Sequence, residues 1–256
     1  MRTYLINMDG SDDRLAQAKR CLSQEGIQFE RVSATDGRGL TPEIMDRFYR
    51  PDRSLLQYGR KLGAGEIGCY LSHLDCLQRF IASDHKFALV IEDDITAPSG
   101  CGHVLKAVIA DLDTRESHLI AVVNLANRAR KICTDISVIS GPANQETVLR
   151  KAYYFPLSSA ALLWTRAAAQ RFIAQYSAVL FPYDIAVREF SLALNCGYGL
   201  SHSLMPPAQG PSEIDKVALR PKLSSFGVSA LRAQKLRTGQ RLRAVRNKLS
   251  DQWSGK

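Results

Sequence analysis

The chain carries six cysteines, Cys21, Cys69, Cys76, Cys101, Cys133 and Cys196, and no two of them form a C-x-x-C pair. That scatter speaks against a disulfide framework or a zinc site and fits free thiols in a reducing cytoplasm. No apolar run reaches the roughly 18 residues a membrane-spanning helix needs. The opening Met1 to Asp9 passes directly into a short apolar strand and then acids, so neither an h-region nor a signal peptide is expected. Internal repeats and low-complexity stretches are absent ahead of the tail, and nothing in the composition is collagen-like or disordered. Net charge is scarce in the body. Residues 216–256 hold eleven Lys or Arg against one acid, Asp251, so the other 215 residues sum to one negative unit although the whole chain carries +9. Such asymmetry predicts an anionic partner for the tail rather than for the body.

What is present is enough apolar content, 45% of 256 residues, to bury a substantial core. Thr3 to Asn7 reads as a strand, and Leu15, Ala18 and Leu22 mark one face of a helix that Gly26 can end. Ile27 to Val32 reads as a second strand, so the opening is a βαβ unit with parallel strands. Residues 41–63 look like a surface excursion broken by Pro42, Pro51 and Gly59. Ile67, Leu71, Leu74 and Leu77 then predict a helix, and Phe87 to Ile91 a fully buried strand. Further elements are expected at 104–112, 119–123, 160–164, 166–176 and 182–194, with an antiparallel flap over 128–154. The fold class expected is α/β, a mostly parallel central sheet flanked by helices, over residues 1–215. Residues 216–256 are expected to be a basic amphipathic tail.

Three consecutive carboxylates, Glu92, Asp93 and Asp94, follow the buried strand. Like charges at a strand end repel and resist desolvation, and a divalent cation relieves both costs. Glu92 and Asp94 lie on one side of an extended chain, and hard oxygen ligands suit Mn²⁺ or Mg²⁺. An acidic, solvated loop is the bland alternative. Ligands of open α/β sheets gather outside the carboxyl ends of parallel strands, where this cluster falls.

Four segments resemble glycosyltransferase family 25, the lipopolysaccharide and lipooligosaccharide glycosyltransferases that include procollagen galactosyltransferases. They are Tyr4-Leu5-Ile6-Asn7-Met8-Asp9 with Arg14, Phe29 to Gly37, Gly65-Glu66-Ile67-Gly68-Cys69-Tyr70-Leu71-Ser72-His73, and Val90 to Asp94. Weaker likeness continues at Ser159 to Trp164 and Pro182-Tyr183-Asp184. The chain departs from the family pattern at Asp9 to Asp13, where a basic stretch is usual, and at Trp164-Thr165-Arg166. The resemblance implies a GT-A-like nucleotide-sugar-binding fold, a divalent cation, and transfer from a sugar nucleotide, commonly UDP-galactose.

On that basis Asp94 is expected as principal metal ligand, with Glu92 second and His202 as a further ligand or diphosphate contact. Asp93 belongs to the same metal–diphosphate site. A cation there acts as a Lewis acid on the leaving diphosphate. Asn7, Asp9, Ala34 and Asp36 end the first two strands and are expected to meet base or ribose; a simple turn is the alternative for Ala34 and Asp36. Arg14 is expected on the diphosphate, or else paired with Asp12 or Asp13. Glu66, Ser72 and His73 share a helix with a glycine-rich start that presents N–H groups to an anion. Ser72 and His73 are expected on donor sugar or phosphate, and Glu66 among the donor-binding residues. Asp184 is the expected base for an inverting transfer, or a helix-dipole carboxylate, with Glu189 in reserve. Gln209 to Ser212 is a candidate acceptor or phosphate loop.

In the tail, Leu231, Leu242, Val245 and Leu249 form an apolar stripe among basic residues, as in helices that lie on anionic membranes. The expectation is therefore a metal-dependent inverting glycosyltransferase on the inner face of a bacterial inner membrane. It moves a hexose, galactose by resemblance, from a UDP-sugar to a lipid-linked lipopolysaccharide or lipooligosaccharide acceptor. Two rivals are a non-catalytic saccharide- or nucleotide-binding descendant and a nucleic-acid-binding protein acting through the tail. The tail lacks interleaved aromatics for base stacking, which disfavours the last. A metal-dependent phosphohydrolase could use the same carboxylates.

Overall fold

The computed structural model describes residues 1–115, 118–142, 146–208 and 228–254. The expected boundary at 215/216 and the candidate loop Gln209 to Ser212 lie outside them. In chain order the elements are β1 (Arg2–Asn7), α1 (Asp12–Gln24), β2 (Glu30–Ser33), α2 (Pro42–Phe48), α3 (Pro51–Gln57), α4 (Ala64–Ala82), β3 (Phe87–Glu92) and α5 (Cys101–Asp113). There follow β4 (Val122–Asn124), β5 (Cys133–Ser140), β6 (Glu146–Ala152), β7 (Ala161–Thr165), α6 (Arg166–Tyr176), α7 (Tyr183–Leu194), β8 (Gly197–Leu200) and α8 (Val228–Trp253).

One eight-stranded sheet runs in the order β2-β1-β3-β7-β4-β8-β6-β5. The β1–β2, β1–β3 and β4–β8 pairs are parallel. The β3–β7, β4–β7, β6–β8 and β5–β6 pairs are antiparallel. The α/β class and the flanking helices are as expected, but the sheet is mixed rather than mostly parallel. The reason is local: β7 follows a loop from the β5–β6 flap instead of a crossover helix, so it enters between β3 and β4 from the opposite end.

Side-chain alternation sends each central strand's residues to two separate cores. Tyr4, Ile6, Ala88, Val90, Leu162 and Trp164 face α4, α6 and α7, where Tyr70, Phe80, Phe172 and Phe190 are fully buried. Leu5, Leu89, Ile91, Ala161 and Leu163 face α1 and α5, meeting Leu22, Leu105 and Leu112. The 41–63 excursion holds two short helices. Pro42 and Pro51, read from sequence as breaks, each occupy the first turn of one, where a missing N–H costs nothing.

Helix α8 lies on the body rather than apart from it. Its Arg243 pairs with Glu189 at 2.6 Å, Asn247 Nδ2 donates to Leu192 O at 2.9 Å, and Lys248 Nζ donates to Cys133 O at 3.0 Å. Among the described residues no helix is long and apolar enough to cross a membrane.

Candidate active site

Three parallel strands end together at one edge of the sheet, at Asn7, Ser33 and Glu92. Asn7 is fully buried, and both ends of its amide are used: Nδ2 donates to Asp93 Oδ2 at 2.7 Å, and Oδ1 accepts from Arg31 Nε at 2.9 Å. Arg31 also pairs with Asp9 at 2.5 Å, and Ser33 Oγ donates to Asp9 at 2.7 Å. Those bonds, Ser33's first, hold the Asp9 carboxyl below its ordinary range. Arg14 lies 3.0 Å from Asp93 and 3.4 Å from Asp94, so it answers the acidic triplet and not Asp12 or Asp13.

Helix α4 supplies the opposite wall, and two glycines let it come close. A Cβ on Gly68 would lie 2.3 Å from Thr35 O, and one on Gly37 would lie 1.8 Å from Ala64 O. Ser72 fastens the same approach: its Oγ accepts from Thr35 N and donates to Gly68 O, both at 2.8 Å. Its hydroxyl holds the turn after β2, and Ser72 also lines the cavity between the two walls. His73 is fully buried, its Nε2 3.1 Å from Glu92 Oε1 and its ring stacked on Tyr183 at 4.1 Å.

Between these walls lies a cavity of about 350 Å³, lined by Asp9, Arg14, Ala34, Asp36, His73 and the three acidic residues. A second cavity of about 300 Å³ is lined by Tyr58, Arg60, Glu66, Ser158, Ser159 and Asp184. Cys69, Glu92 and Asp94 line both and form the partition. Glu66, expected among the donor-binding residues, lines the second cavity, is clamped by Arg60 at 2.6 and 2.7 Å and caps α4 through Gly63 N at 3.0 Å. His202, expected as a ligand, is exposed, bonds Ser201 Oγ at 3.0 Å and lines neither cavity. Glu189, the reserve base, is taken by Arg243 and Gln240 of α8.

The partition has the electrostatics of a cation site. Burial, then repulsion from Glu92, pushes the Asp94 carboxyl up to about 6, and its Oδ1 is buried with no hydrogen-bond partner among the described residues. Glu92 is also pushed up by burial, but His73 and Ser159 outweigh this and its value falls below the ordinary one. Ser159 Oγ donates to it at 2.6 Å. An orphaned carboxylate oxygen beside a second carboxylate fits Mn²⁺ or Mg²⁺, with Asp94 and Glu92 as the residues that would hold it. Cys69, His73 and Glu92 also place one ligand atom each within 4.8 Å of one another.

Across the partition, Asp184 opens α7. Burial raises its carboxyl, opposed by the Ile185 N–H at 2.8 Å, by Arg188 and by the Ser158 N–H. Ser158 has φ +110°, unusual for a residue with a side chain. Its conformation is held by fully buried Asn124, whose Nδ2 donates to Pro156 O at 3.2 Å and Ser158 O at 2.9 Å. Buried Arg188 braces the same loop through Phe155 O at 2.7 Å.

A family model described as glycosyltransferase family 25 (LPS biosynthesis protein) matches residues 1–187. The chain belongs to glycosyltransferase family 25. Procollagen galactosyltransferase 2 of Mus musculus is 30% identical over 117 residues, 43% of this chain and 18% of that protein. The Homo sapiens protein of the same name is 32% identical over 100 residues, 36% of this chain and 15% of its own length. A glycosyltransferase 25 family member of Drosophila melanogaster is 30% identical over 97 residues, 37% of this chain and 16% of that one. This family 25 chain thus spans less than a fifth of the curated relatives it matches. A solved glycosyltransferase involved in glycosylation of the major capsid of PBCV-1 covers 93% of this chain, and 100% of that chain is covered, at 10% identity. Its TM-score of 0.35 is too low to carry an argument.

Several residues of the family 25 site escaped the sequence reading. Arg31 and Ser159 stand inside segments that resemble the family, but nothing in their spacing singles them out. Asn124 is a polar residue closing an apolar run, a pattern that marks a strand end at a site. Arg60, Arg188 and Tyr183 act through contacts that no local pattern announces.

Proposed function

We propose that this family 25 glycosyltransferase moves a hexose, galactose by its relatives' names, from a UDP-sugar to a saccharide acceptor with inversion. The observation that carries the reading is the partition: Glu92 and Asp94 face both cavities, and Asp184 stands on the far side. The first cavity takes the donor. Asp9, Ala34 and Asp36 meet base and ribose, and Arg14 meets the diphosphate, where a guanidinium suits phosphate oxygens. Mn²⁺ or Mg²⁺ held by Asp94 and Glu92 supplies Lewis-acid stabilisation of the departing diphosphate. The acceptor sits in the second cavity. Asp184 takes its hydroxyl proton as the oxygen bonds the anomeric carbon and the bond from that carbon to the diphosphate breaks, releasing UDP. A carboxyl raised by burial is a stronger base for this than an ordinary one. Lipopolysaccharide or lipooligosaccharide on the cytoplasmic side of a bacterial inner membrane is the proposed acceptor, following the family's description.

Calorimetry with UDP, UDP-galactose, UDP-glucose and UDP-N-acetylglucosamine, each with Mn²⁺ and with EDTA, tests this. Metal-dependent binding that favours UDP-galactose is the expected result. Failure of every uridine nucleotide to bind would overturn the donor assignment.

A further inference from the structure

Helix α8 presents two unlike faces. The one against the body holds Ala233, Gln240 and Ala244, which are buried, and Leu236, which packs on the core, while Arg243 and Asn247 are bonded to α7. The opposite one carries Leu231, Leu242, Val245, Leu249 and Trp253, exposed by 68, 67, 44, 45 and 88%. These positions recur at helical spacing, so they form one stripe. Apolar residues usually face the core, and here Leu236 does, while the docking contacts turn these five outward. Lys235, Arg237, Arg241 and Arg246 are exposed on the same helix, and none pairs with a carboxylate among the described residues.

We infer that this outward face docks on an anionic lipid membrane and sets the second cavity beside an acceptor anchored there. The inference rests on the transferase reading for the acceptor alone. Charge decides between occupants. A second copy would bring one row of cations against another, at a cost in repulsion. A nucleic acid has no use for exposed leucines, and Trp253 is the helix's only aromatic. An anionic bilayer takes both, burying the stripe at the headgroup boundary while the cations meet lipid phosphates.

The path from this face to the chemistry is short. Arg232 NH1 donates to Leu55 O at 3.1 Å, and α8 begins so near Gly59 that a Cβ there would meet Ser229 O at 2.8 Å. Leu55 and Leu56 of α3 are themselves exposed, by 38 and 64%. Tyr58 and Arg60, a few residues on, line the second cavity. Residues 55–60 therefore join the lipid-facing surface to the acceptor wall.

The test is co-sedimentation of the full chain with vesicles of phosphatidylglycerol and phosphatidylethanolamine, and with vesicles of phosphatidylcholine. Binding to the anionic vesicles is expected, weakening as salt rises from about 0.1 M to about 0.5 M. The triple variant Leu242→Ser, Val245→Ser, Trp253→Ser should lower partition about tenfold or more. Lys235→Glu, Arg241→Glu and Arg246→Glu should each lower it about fivefold or more. Thermal unfolding of these variants should match the parent, since the changed side chains face away from the body. Equal partition of parent and variants, or equal binding to neutral vesicles, would overturn the inference. So would a dimer in sedimentation velocity that the triple variant abolishes, or tighter binding to a DNA duplex than to anionic vesicles. The two readings separate cleanly: vesicle binding without transfer sinks the transferase assignment alone, and transfer to a soluble saccharide without vesicle binding sinks the docking face alone.

Discussion

Replacing Asp94 by Asn should stabilise the metal-free protein while abolishing transfer. Burial and Glu92 raise the Asp94 carboxyl from 3.8 to about 6. At about 1.4 kcal/mol per pH unit, the ionised group costs the folded chain on the order of 3 kcal/mol above that value. The side chain is 28% exposed, and screening by solvent brings the expectation down to about 2 kcal/mol. The sign follows from the direction. Because the folded-state value is raised, the fold is favoured by protonation, and that stability is lost as pH rises through about 6. Below about pH 4 both states are protonated and the difference vanishes. Urea unfolding in EDTA at about pH 8 should therefore show Asp94→Asn more stable than the parent, and near pH 4 the two should coincide. Added Mn²⁺ should raise the parent's midpoint and leave the variant's unchanged, because ligand binding to the folded state alone stabilises it. A variant that is less stable at both pH values by the same amount would refute the reasoning and make Asp94 an ordinary hydrogen-bond acceptor.

Other perturbations probe the remaining parts of the site. Asn124→Ala leaves the buried Pro156 carbonyl and the half-buried Ser158 carbonyl without their donor and should cost about 2–4 kcal/mol; guanidinium unfolding measures this, and kcat should fall more than KM rises because Ser159 and Asp184 lose their placement. Asp184→Asn should lower kcat by about 10²- to 10⁴-fold with donor binding intact, read by steady-state kinetics beside calorimetry. Gly68→Ala should push the turn after β2 off α4 and weaken UDP binding at least tenfold, which calorimetry would register; unchanged affinity would show that the close approach is dispensable. Glu189→Ala removes the partner of Arg243 and Gln240, and limited proteolysis should then cut α8 sooner than in the parent.

The opening third of the chain was the easiest to read. Its strands alternate or run apolar, and its acids fall at a strand end, where sequence spacing alone places two carboxylates together. Contacts outside the helix and strand periodicities were not legible. Nothing in the spacing of Glu66 shows that Arg60 would fold back onto it, nor that Ser72 would spend its hydroxyl on Thr35. His202 is near the end of β8, three strands from β3 in the sheet order, so a histidine after a strand was a poor guide to ligation. The direction of β7 was hidden because an apolar run carries no sign of which end enters first. The tail's apolar stripe was found correctly, but periodicity cannot say which face looks inward. Small Ala233 and Ala244 and the paired Arg243 settle that, through packing no hydropathy pattern contains.

Because Glu92 and Asp94 belong to both cavities, the proposed donor and acceptor specificities would not be separately adjustable. On the proposed assignment, a change at Ser159 made to admit a bulkier acceptor would also disturb Glu92, which accepts its hydroxyl, and turnover would fall for every acceptor alike. Freedom to broaden the acceptor range lies instead at Leu157, Ile185 and Pro207, which line the second cavity and make no side-chain bond to the partition. A library confined to those three positions would change what is glycosylated while leaving the sugar that is delivered the same.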